Sequence, residues 1–106
     1  MIVLPTATGA NRDKIVALAA HHRLPAIYPY DYWTESGGLV SYGSDTRDVY
    51  RRAASYIDRI LRGVKPGDLP VQSPVKFELV INLKAAKALK LDVSYNLLLV
   101  ADRLIE

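Results

Sequence analysis

The chain has 106 residues, half of them apolar and 24% charged, with a net charge of +3 and no cysteine. A chain of this length suits one hydrophobic core, and its frequent apolar runs exclude a disordered protein. The lack of cysteine excludes disulfides, thiol catalysis and thiolate metal sites.

The N-terminal residues, Met1–Pro5, contain neither the basic region nor the long apolar stretch of a secretory signal. No apolar run in the sequence is long enough to cross a bilayer. The sequence opens directly on a short apolar run typical of a buried strand, so we expect upstream sequence to be missing.

In chain order, the pattern first predicts a strand at Ile2–Leu4 and a helix that Asn11 caps. Pro25–Tyr30 has the aromatic and β-branched content of a second strand. Asp31–Glu35 then predicts one helical turn, and Leu39–Tyr42 predicts a third strand.

The longest predicted helix begins at Ser44 or Asp45 and ends near Arg62, because Gly63 is a natural stop. Its arginines form the densest positive stretch of the chain, which suits either a nucleic-acid surface or a solvated helix face. Aspartates at positions 48 and 58 each precede an arginine by four residues, the spacing at which opposite charges pair on a helix. We therefore favour the helix face and expect no nucleic-acid partner.

After this helix, Lys65–Pro74 is rich in turn residues and is the candidate hinge. Phe77–Leu83 predicts a fourth strand, and Asn82 can cap a short helix after it. A final helix, begun by Asp92 or Ser94, would bury Ile105 on its inner side. Strands thus alternate with helices, which predicts an α/β fold with a mainly parallel sheet covered by helices.

Polar residues follow the predicted strands, where ligands bind in open parallel sheets. They are Thr6, Thr8, Tyr30, Asp31, Gly43, Ser44, Asp45 and Asn82. Their hydroxyls, carboxylates and rings, with the amides of helix N-termini, suit a small polar or zwitterionic ligand. The alternative is that many of them only cap helices, and for Asp45 and Asn82 capping competes directly with ligand contact.

The densest aromatic cluster comprises Tyr28, Tyr30, Tyr32 and Trp33. It suits a stacking wall for a ring or a peptide-like ligand, and equally a lid over the edge of the core or an interface between chains. The sequence leaves these alternatives open.

Constellations that would indicate an enzyme are weak. His21 and His22 are adjacent and point about a quarter turn apart on a helix, so they do not share a metal. Asp31 and Glu35 could form a carboxylate pair, but no nucleophile accompanies them. No nucleophile elbow or phosphate-binding glycine loop is present. A binding protein with no catalytic residues, no metal site and no cofactor is therefore expected.

Several segments carry a resemblance to one family. They are residues 15–30 (IVALAAHHRLPAIYPY), 37–43 (GGLVSYG), 48–63 (DVYRRAASYIDRILRG), 65–71 (KPGDLPV) and 77–89 (FELVINLKAAKAL). Together they resemble the substrate-binding proteins of ABC transporters, of the kind that binds tryptophan or tyrosine. The resemblance covers nearly the whole chain but only the C-terminal third or so of a family member.

The resemblance implies a truncated periplasmic-binding-protein-like fold of type I, with two lobes and a hinge. Residues 1–36 and 75–106 would belong to the second lobe, and residues 39–63 to the first. The segments matching Pro5–Thr8 and Tyr42–Asp45 would face the ligand cleft, which adds Tyr42 to the candidate ligand-binding residues. Ala7 and Thr8 depart from the acidic residue and asparagine that the family often has after Pro-Thr.

Function and partners also follow from the resemblance. It implies a solute-binding component of an ABC importer that takes an amino-acid-like or aromatic ligand and works with an ABC permease. The family works in the periplasm, whereas a chain without an export signal is expected in the cytoplasm. With the first half of a family member missing, the long helix would expose its apolar side, so we expect a homodimer. The alternatives are a freestanding dimeric interaction module that has lost transport and, with least support, a small α/β enzyme.

Overall fold

The protein is described by a computed structural model that covers residues 1–4 and 8–106. Its helices and strands are α1 (Arg12–His21), β1 (Ile27–Tyr28), α2 (Asp31–Glu35), β2 (Val40–Ser44), α3 (Thr46–Leu61), β3 (Phe77–Asn82), α4 (Leu83–Ala88), α5 (Tyr95–Val100) and β4 (Arg103–Ile105). Short 3₁₀ turns occur at Gly9–Asn11 and Pro66–Asp68. Among these described helices, none combines the length and the apolar character that a bilayer span requires.

The four strands form one sheet in the order β1-β2-β3-β4. The pairs β1–β2 and β3–β4 are parallel, and an isolated bridge from Ile2 to Ile27 adds a further parallel contact beside β1. Between β2 and β3, the Asn82 N–H donates to the Leu39 carbonyl at 2.8 Å. This sheet and its helices have the predicted α/β class.

Contacts divide the chain into two compact units. The first, called here the core unit, comprises Met1–Gly43 and Glu78–Glu106; the second, the helical unit, is Ser44–Phe77. The core unit owes its stability to a cluster of buried apolar residues. Its members are Val3, Val16, Ala19, Ala26, Tyr28 and Trp33, and Val80, Ile81 and Ala86 are buried in the same unit.

The helical unit is built on α3, whose beginning and end are both fixed locally. The Asp45 carboxylate accepts hydrogen bonds from the N–H groups of Arg47 and Asp48 at 3.0 and 3.3 Å, as the sequence predicted for a cap. Gly63 ends the helix with a φ of 103°, a conformation that glycine adopts without strain. The candidate hinge, Lys65–Pro74, lies inside this unit.

The C-terminal segment differs from the prediction. Ser94 caps a helix, as one of the two predicted alternatives, but α5 ends at Val100 and the chain continues into β4. Asp102 fixes this change because its N–H donates to the Leu79 carbonyl at 2.9 Å and its carboxylate accepts from the Leu79 N–H at 2.7 Å. Ile105 therefore lies in a strand, and its placement on a helix was wrong.

The N-terminal predictions also need two corrections. The predicted strand Ile2–Leu4 is reduced to one bridge between Ile2 and Ile27, beside which the Val3 N–H donates to the Ile27 carbonyl at 3.0 Å. Asn11 stands immediately before α1, but its side chain makes no capping hydrogen bond. The 3₁₀ turn at Gly9–Asn11 leads into α1 instead.

Candidate functional site

The carboxyl ends of β1 and β2 lie together, as the prediction from parallel strands requires. Tyr28 is aligned with Ser41 in the parallel register, so Pro29 and Gly43 follow the pairing on their two strands. A Cβ atom on Gly43 would stand 1.9 Å from the Pro29 carbonyl oxygen. Only glycine fits here, and its close approach fixes this edge of the sheet.

Three of the predicted ligand-binding residues lie at this edge. Tyr30 follows Pro29, Asp31 is the first residue of α2, and Tyr42 precedes Gly43. Tyr42 is 56% exposed, whereas Tyr30 is half-buried and the Asp31 side chain keeps 17% of its surface exposed. The sheet edge therefore presents rings to the surface and holds its carboxylate mostly inside.

Asp31 is already engaged by the protein. One carboxylate oxygen accepts the Tyr32 N–H at 2.9 Å, and the other is 3.3 Å from Nη2 of Arg103. The same Nη2 lies 2.8 Å from Glu35 Oε1, so one guanidinium bridges both carboxylates of α2. A ligand ammonium group would have to share Asp31 with Arg103, which makes charge recognition by this carboxylate weak.

The aromatic cluster divides into a buried half and a surface half. Tyr28 and Trp33 stack in the core with ring centroids 5.2 Å apart, and burial raises the pKa of the Tyr28 phenol. Tyr30 and Tyr32 stack at 5.5 Å at the edge, and the Arg12 guanidinium lies 5.7 Å from the Tyr32 ring centre. Tyr28 and Trp33 thus belong to the core itself, while Tyr30 is half-buried against that core and Tyr32 is 38% exposed.

The two predicted threonines precede α1. Thr6 lies outside the described residues. The Thr8 hydroxyl donates a hydrogen bond to the Leu4 carbonyl, so its proton is already used within the protein. The oxygen of this hydroxyl can still accept a hydrogen bond from a ligand.

Ser44 and Asp45 belong to the helical unit. In addition to capping α3, the Asp45 carboxylate lies 3.2 Å from Lys76 Nζ. The hydrogen bond from the Asp48 N–H, supported by Lys76 and the Arg47 N–H, holds the pKa of Asp45 below its ordinary value. The capping interpretation of Asp45 is therefore realised in the structure.

Asn82 also follows the capping alternative. Its side-chain oxygen accepts the Ala85 N–H at 3.0 Å, and its amide nitrogen donates to the Thr34 carbonyl at 3.2 Å. The residue is buried, with 6% of its surface exposed. These contacts tie β3 to α2 and α4 and leave its side chain inside the core unit.

Sequence reasoning missed two cations beside the candidate site. Arg103 pairs with both Asp31 and Glu35, and Arg12 lies over the Tyr32 ring. Arg103 reaches α2 because it stands in β4, where the sequence predicted the end of a helix. Arg12 directly follows the expected cap of α1, but nothing in its spacing pointed to Tyr32.

Each unit contains a cavity. One of about 530 Å³ in the core unit is lined by α1, α4 and the segment from Glu35 to Leu39, and also by Tyr28 and Asn82. Another of about 380 Å³ in the helical unit lies between α3 and the segment from Pro66 to Pro74, and none of the described candidate residues lines it. In residues 1–4 and 8–106, no group of three or more histidine, aspartate or glutamate side chains could hold a metal ion.

Comparison with known proteins links the chain to one family. The family model described as ABC transporter substrate binding protein matches residues 1–105. No curated protein matches the chain.

Solved structures show the same fold. A conserved domain protein from Vibrio cholerae is 26% identical with a TM-score of 0.87, and the match covers 97% of this chain and 34% of that one. An ABC domain in complex with L-Trp from Streptococcus pneumonia is also 26% identical, with a TM-score of 0.85 and coverage of 94% and 35%. A ligand-free substrate-binding protein with adhesive properties from Clostridium difficile, 18% identical, shares the fold with a TM-score of 0.63 and coverage of 93% and 32%.

These matches confirm the periplasmic-binding-protein-like fold. They also show that the chain spans about a third of the length of its solved relatives.

Proposed function

The chain belongs to the ABC transporter substrate-binding protein family, and we propose that it forms part of the solute-binding component of an importer. It would bind a small polar or amino-acid-like ligand without chemistry and deliver it to an ABC permease. One observation carries this proposal: the family match extends over residues 1–105, and a relative of the same fold was solved with L-Trp bound. Family members typically work in the periplasm or outside the cell, where this component would meet its ligand.

The candidate site favours an aromatic ligand over a simple cation. Tyr30 and Tyr32 present a stacked pair at the edge of the sheet, and stacking on such rings stabilises another ring. Asp31, in contrast, shares the Arg103 guanidinium with Glu35, so a ligand ammonium group would compete with that guanidinium for its carboxylate. An aromatic amino acid such as L-Trp is therefore the first ligand to test, with the Tyr30–Tyr32 pair and the exposed Tyr42 as the side chains that contact it.

The two units correspond to lobes in this proposal. The core unit would belong to the second lobe, and the helical unit to the first. The chain passes from one unit to the other at Gly43–Ser44 in β2 and returns at Phe77–Glu78 in β3. The family resemblance implied residues 39–63 in the first lobe and residues 75–106 in the second, and the unit boundaries differ from those ranges at 39–43 and at 75–77.

Isothermal titration calorimetry of the whole chain tests ligand binding. L-Trp, L-Tyr and L-Phe are titrated beside L-Ala, which lacks a ring. We expect weak binding of the aromatic amino acids alone, and a loss of at least about tenfold in affinity in Tyr30→Ala, since base or ring stacking on an aromatic side chain contributes about 1–3 kcal/mol. Tyr50→Ala removes an exposed ring from α3 and is the matched control.

Two results would overturn the proposal. The first is no heat with any aromatic amino acid at millimolar concentration. The second is equal affinity of the Tyr30→Ala and Tyr50→Ala chains, which would place binding elsewhere.

A second candidate function is a freestanding dimeric interaction module that has lost transport. It is favoured by the helical unit, which the structure describes in full and in which no residue is buried. A stable dimer that takes up no ligand would support this alternative.

A further inference from the structure

Helix α2 has two acidic side chains, and both are paired with the same cation. Nη2 of Arg103 lies 3.3 Å from Asp31 Oδ2 and 2.8 Å from Glu35 Oε1. Arg103 is the first residue of β4, aligned with Val80 of β3, and stands 72 positions after Asp31 in the sequence. The fold of the core unit therefore brings this guanidinium to α2.

The guanidinium is partly enclosed by the protein. The Arg103 side chain keeps 34% of its surface exposed, and that of Asp31 keeps 17%. Arg103 Nε is buried, and it finds no acceptor among residues 1–4 and 8–106. Charges that are partly withdrawn from water interact more strongly than charges at the surface. The pairing of Arg103 with Asp31 is therefore harder to displace than an exposed ion pair.

This shared cation determines how much negative charge remains for a ligand. Two carboxylates and one guanidinium leave one net negative charge beside the stacked pair of Tyr30 and Tyr32. Without the guanidinium, two negative charges would remain, and Oδ2 of Asp31 would lose its partner. An ammonium group has to share the carboxylates with Arg103, whereas an aromatic carboxylate meets no such competitor.

We propose that Arg103 is a specificity-determining residue of the ligand site. It would set the preference of the site between ring-bearing ligands with and without an ammonium group, by competing with that group for Asp31. The inference rests on the proposed function, because it takes the Tyr30–Tyr32 pair as the place where the ligand ring binds. Arg103 acts through the carboxylate and needs no contact with the ring.

Isothermal titration calorimetry of the whole chain with three indole probes measures this preference. L-Trp carries a carboxylate and an ammonium group, indolepropionate carries only the carboxylate, and tryptamine carries only the ammonium group. The quantity compared is the ratio of the tryptamine Kd to the indolepropionate Kd. Arg103→Gln is expected to lower this ratio at least about tenfold, because a carboxylate without an internal partner can form a charge-assisted hydrogen bond with the ligand.

Control variants separate the charge of Arg103 from its effect on the fold. Arg103→Lys keeps a cation beside α2, so its ratio should stay close to that of the parent chain. Arg23→Gln removes one positive charge from an exposed position just after α1, and it should leave the ratio unchanged. A variant that merely loosened α2 would weaken binding of all three probes together and would not lower the ratio.

Two double variants identify the carboxylate that the ligand uses. Asp31→Asn added to Arg103→Gln should return the ratio to that of the parent chain. Glu35→Gln added to Arg103→Gln should return it only in part, because Glu35 stands about one turn further from Tyr30 and its side chain is 46% exposed. Full reversal by Glu35→Gln, with none by Asp31→Asn, would contradict the role given to Asp31.

The outcomes separate this inference from the proposed function. If L-Trp binds and Arg103→Gln leaves the ratio unchanged, the specificity role of Arg103 is wrong and the proposed function stands. An absence of heat with all three probes would overturn both.

Discussion

The core unit and the helical unit fold by different means. In the core unit, Tyr28 and Trp33 are almost fully buried and stacked, and the sheet brings together residues far apart in sequence. In the helical unit, a capping carboxylate and a terminal glycine define α3. The described chain therefore contains one unit with a hydrophobic core and one in which no residue is buried.

The difference shows what local signals can and cannot provide. A cap fixes where a helix begins, but isolated helices of this length are marginal in water without burial of an apolar face. The helical unit is therefore expected to unfold more easily than the core unit. A partner that covers α3 should stabilise the helical unit more than the core unit. The predictions below test this difference, beginning with the largest effect.

The first prediction compares Trp33→Ala with Ile57→Ala. Trp33 is fully buried, so its truncation leaves a large cavity and is expected to cost about 3–5 kcal/mol of unfolding free energy. Ile57 is 58% exposed, and its truncation should change stability by no more than about 0.5 kcal/mol. Urea denaturation followed by far-UV circular dichroism, at concentrations below self-association, measures both. Equal losses of unfolding free energy in the two variants would contradict the expected difference in stability between the two units.

The second prediction concerns the edge of the sheet in the core unit. Gly43→Ala would force a Cβ to within 1.9 Å of the Pro29 carbonyl oxygen, so β1 and β2 must separate. We expect a loss of about 1–3 kcal/mol, the usual cost of overpacking, together with weaker ligand binding at Tyr30 and Tyr42. Gly9→Ala is the control in the same unit, because a Cβ there meets nothing within 4 Å. If both variants melt at the same temperature as the parent chain, the close approach of Gly43 to the Pro29 carbonyl does not contribute to stability.

Elements with local signals were predicted well from the sequence. Asp45 and Asn82 stand before helical segments and accept the N–H groups of the following turn, as predicted. The short α2 was predicted with its observed bounds at Asp31–Glu35. In each case a polar side chain or a change in composition marks the boundary within a few residues.

Elements that depend on distant partners were predicted poorly. β4 is three residues long, and it exists because Asp102 bonds to Leu79 on a strand more than twenty residues earlier. The neutralisation of Asp31 by Arg103 depends on that same strand and was missed with it. A short apolar run does not show which strand it will pair with. Neither β4 nor the ion pair between Asp31 and Arg103 could therefore be predicted from the local sequence.

The smallest expected effect is a difference between the two units in how amide exchange depends on pH. The folded-state pKa of Asp45 is lowered, chiefly by the Asp48 N–H, so its contribution to stability is complete at neutral pH and is lost as pH falls through that lowered value. The loss therefore occurs below the ordinary aspartate pKa of about 3.9. Amide exchange along α3 should accelerate in this acidic range before exchange at β3 does. Asp45→Asn keeps a capping oxygen that does not titrate, so α3 in this variant should show a flatter pH profile, while acid effects from other carboxylates remain the same in both chains. Identical profiles for the two chains would mean that the ionisation of Asp45 contributes nothing to the stability of α3.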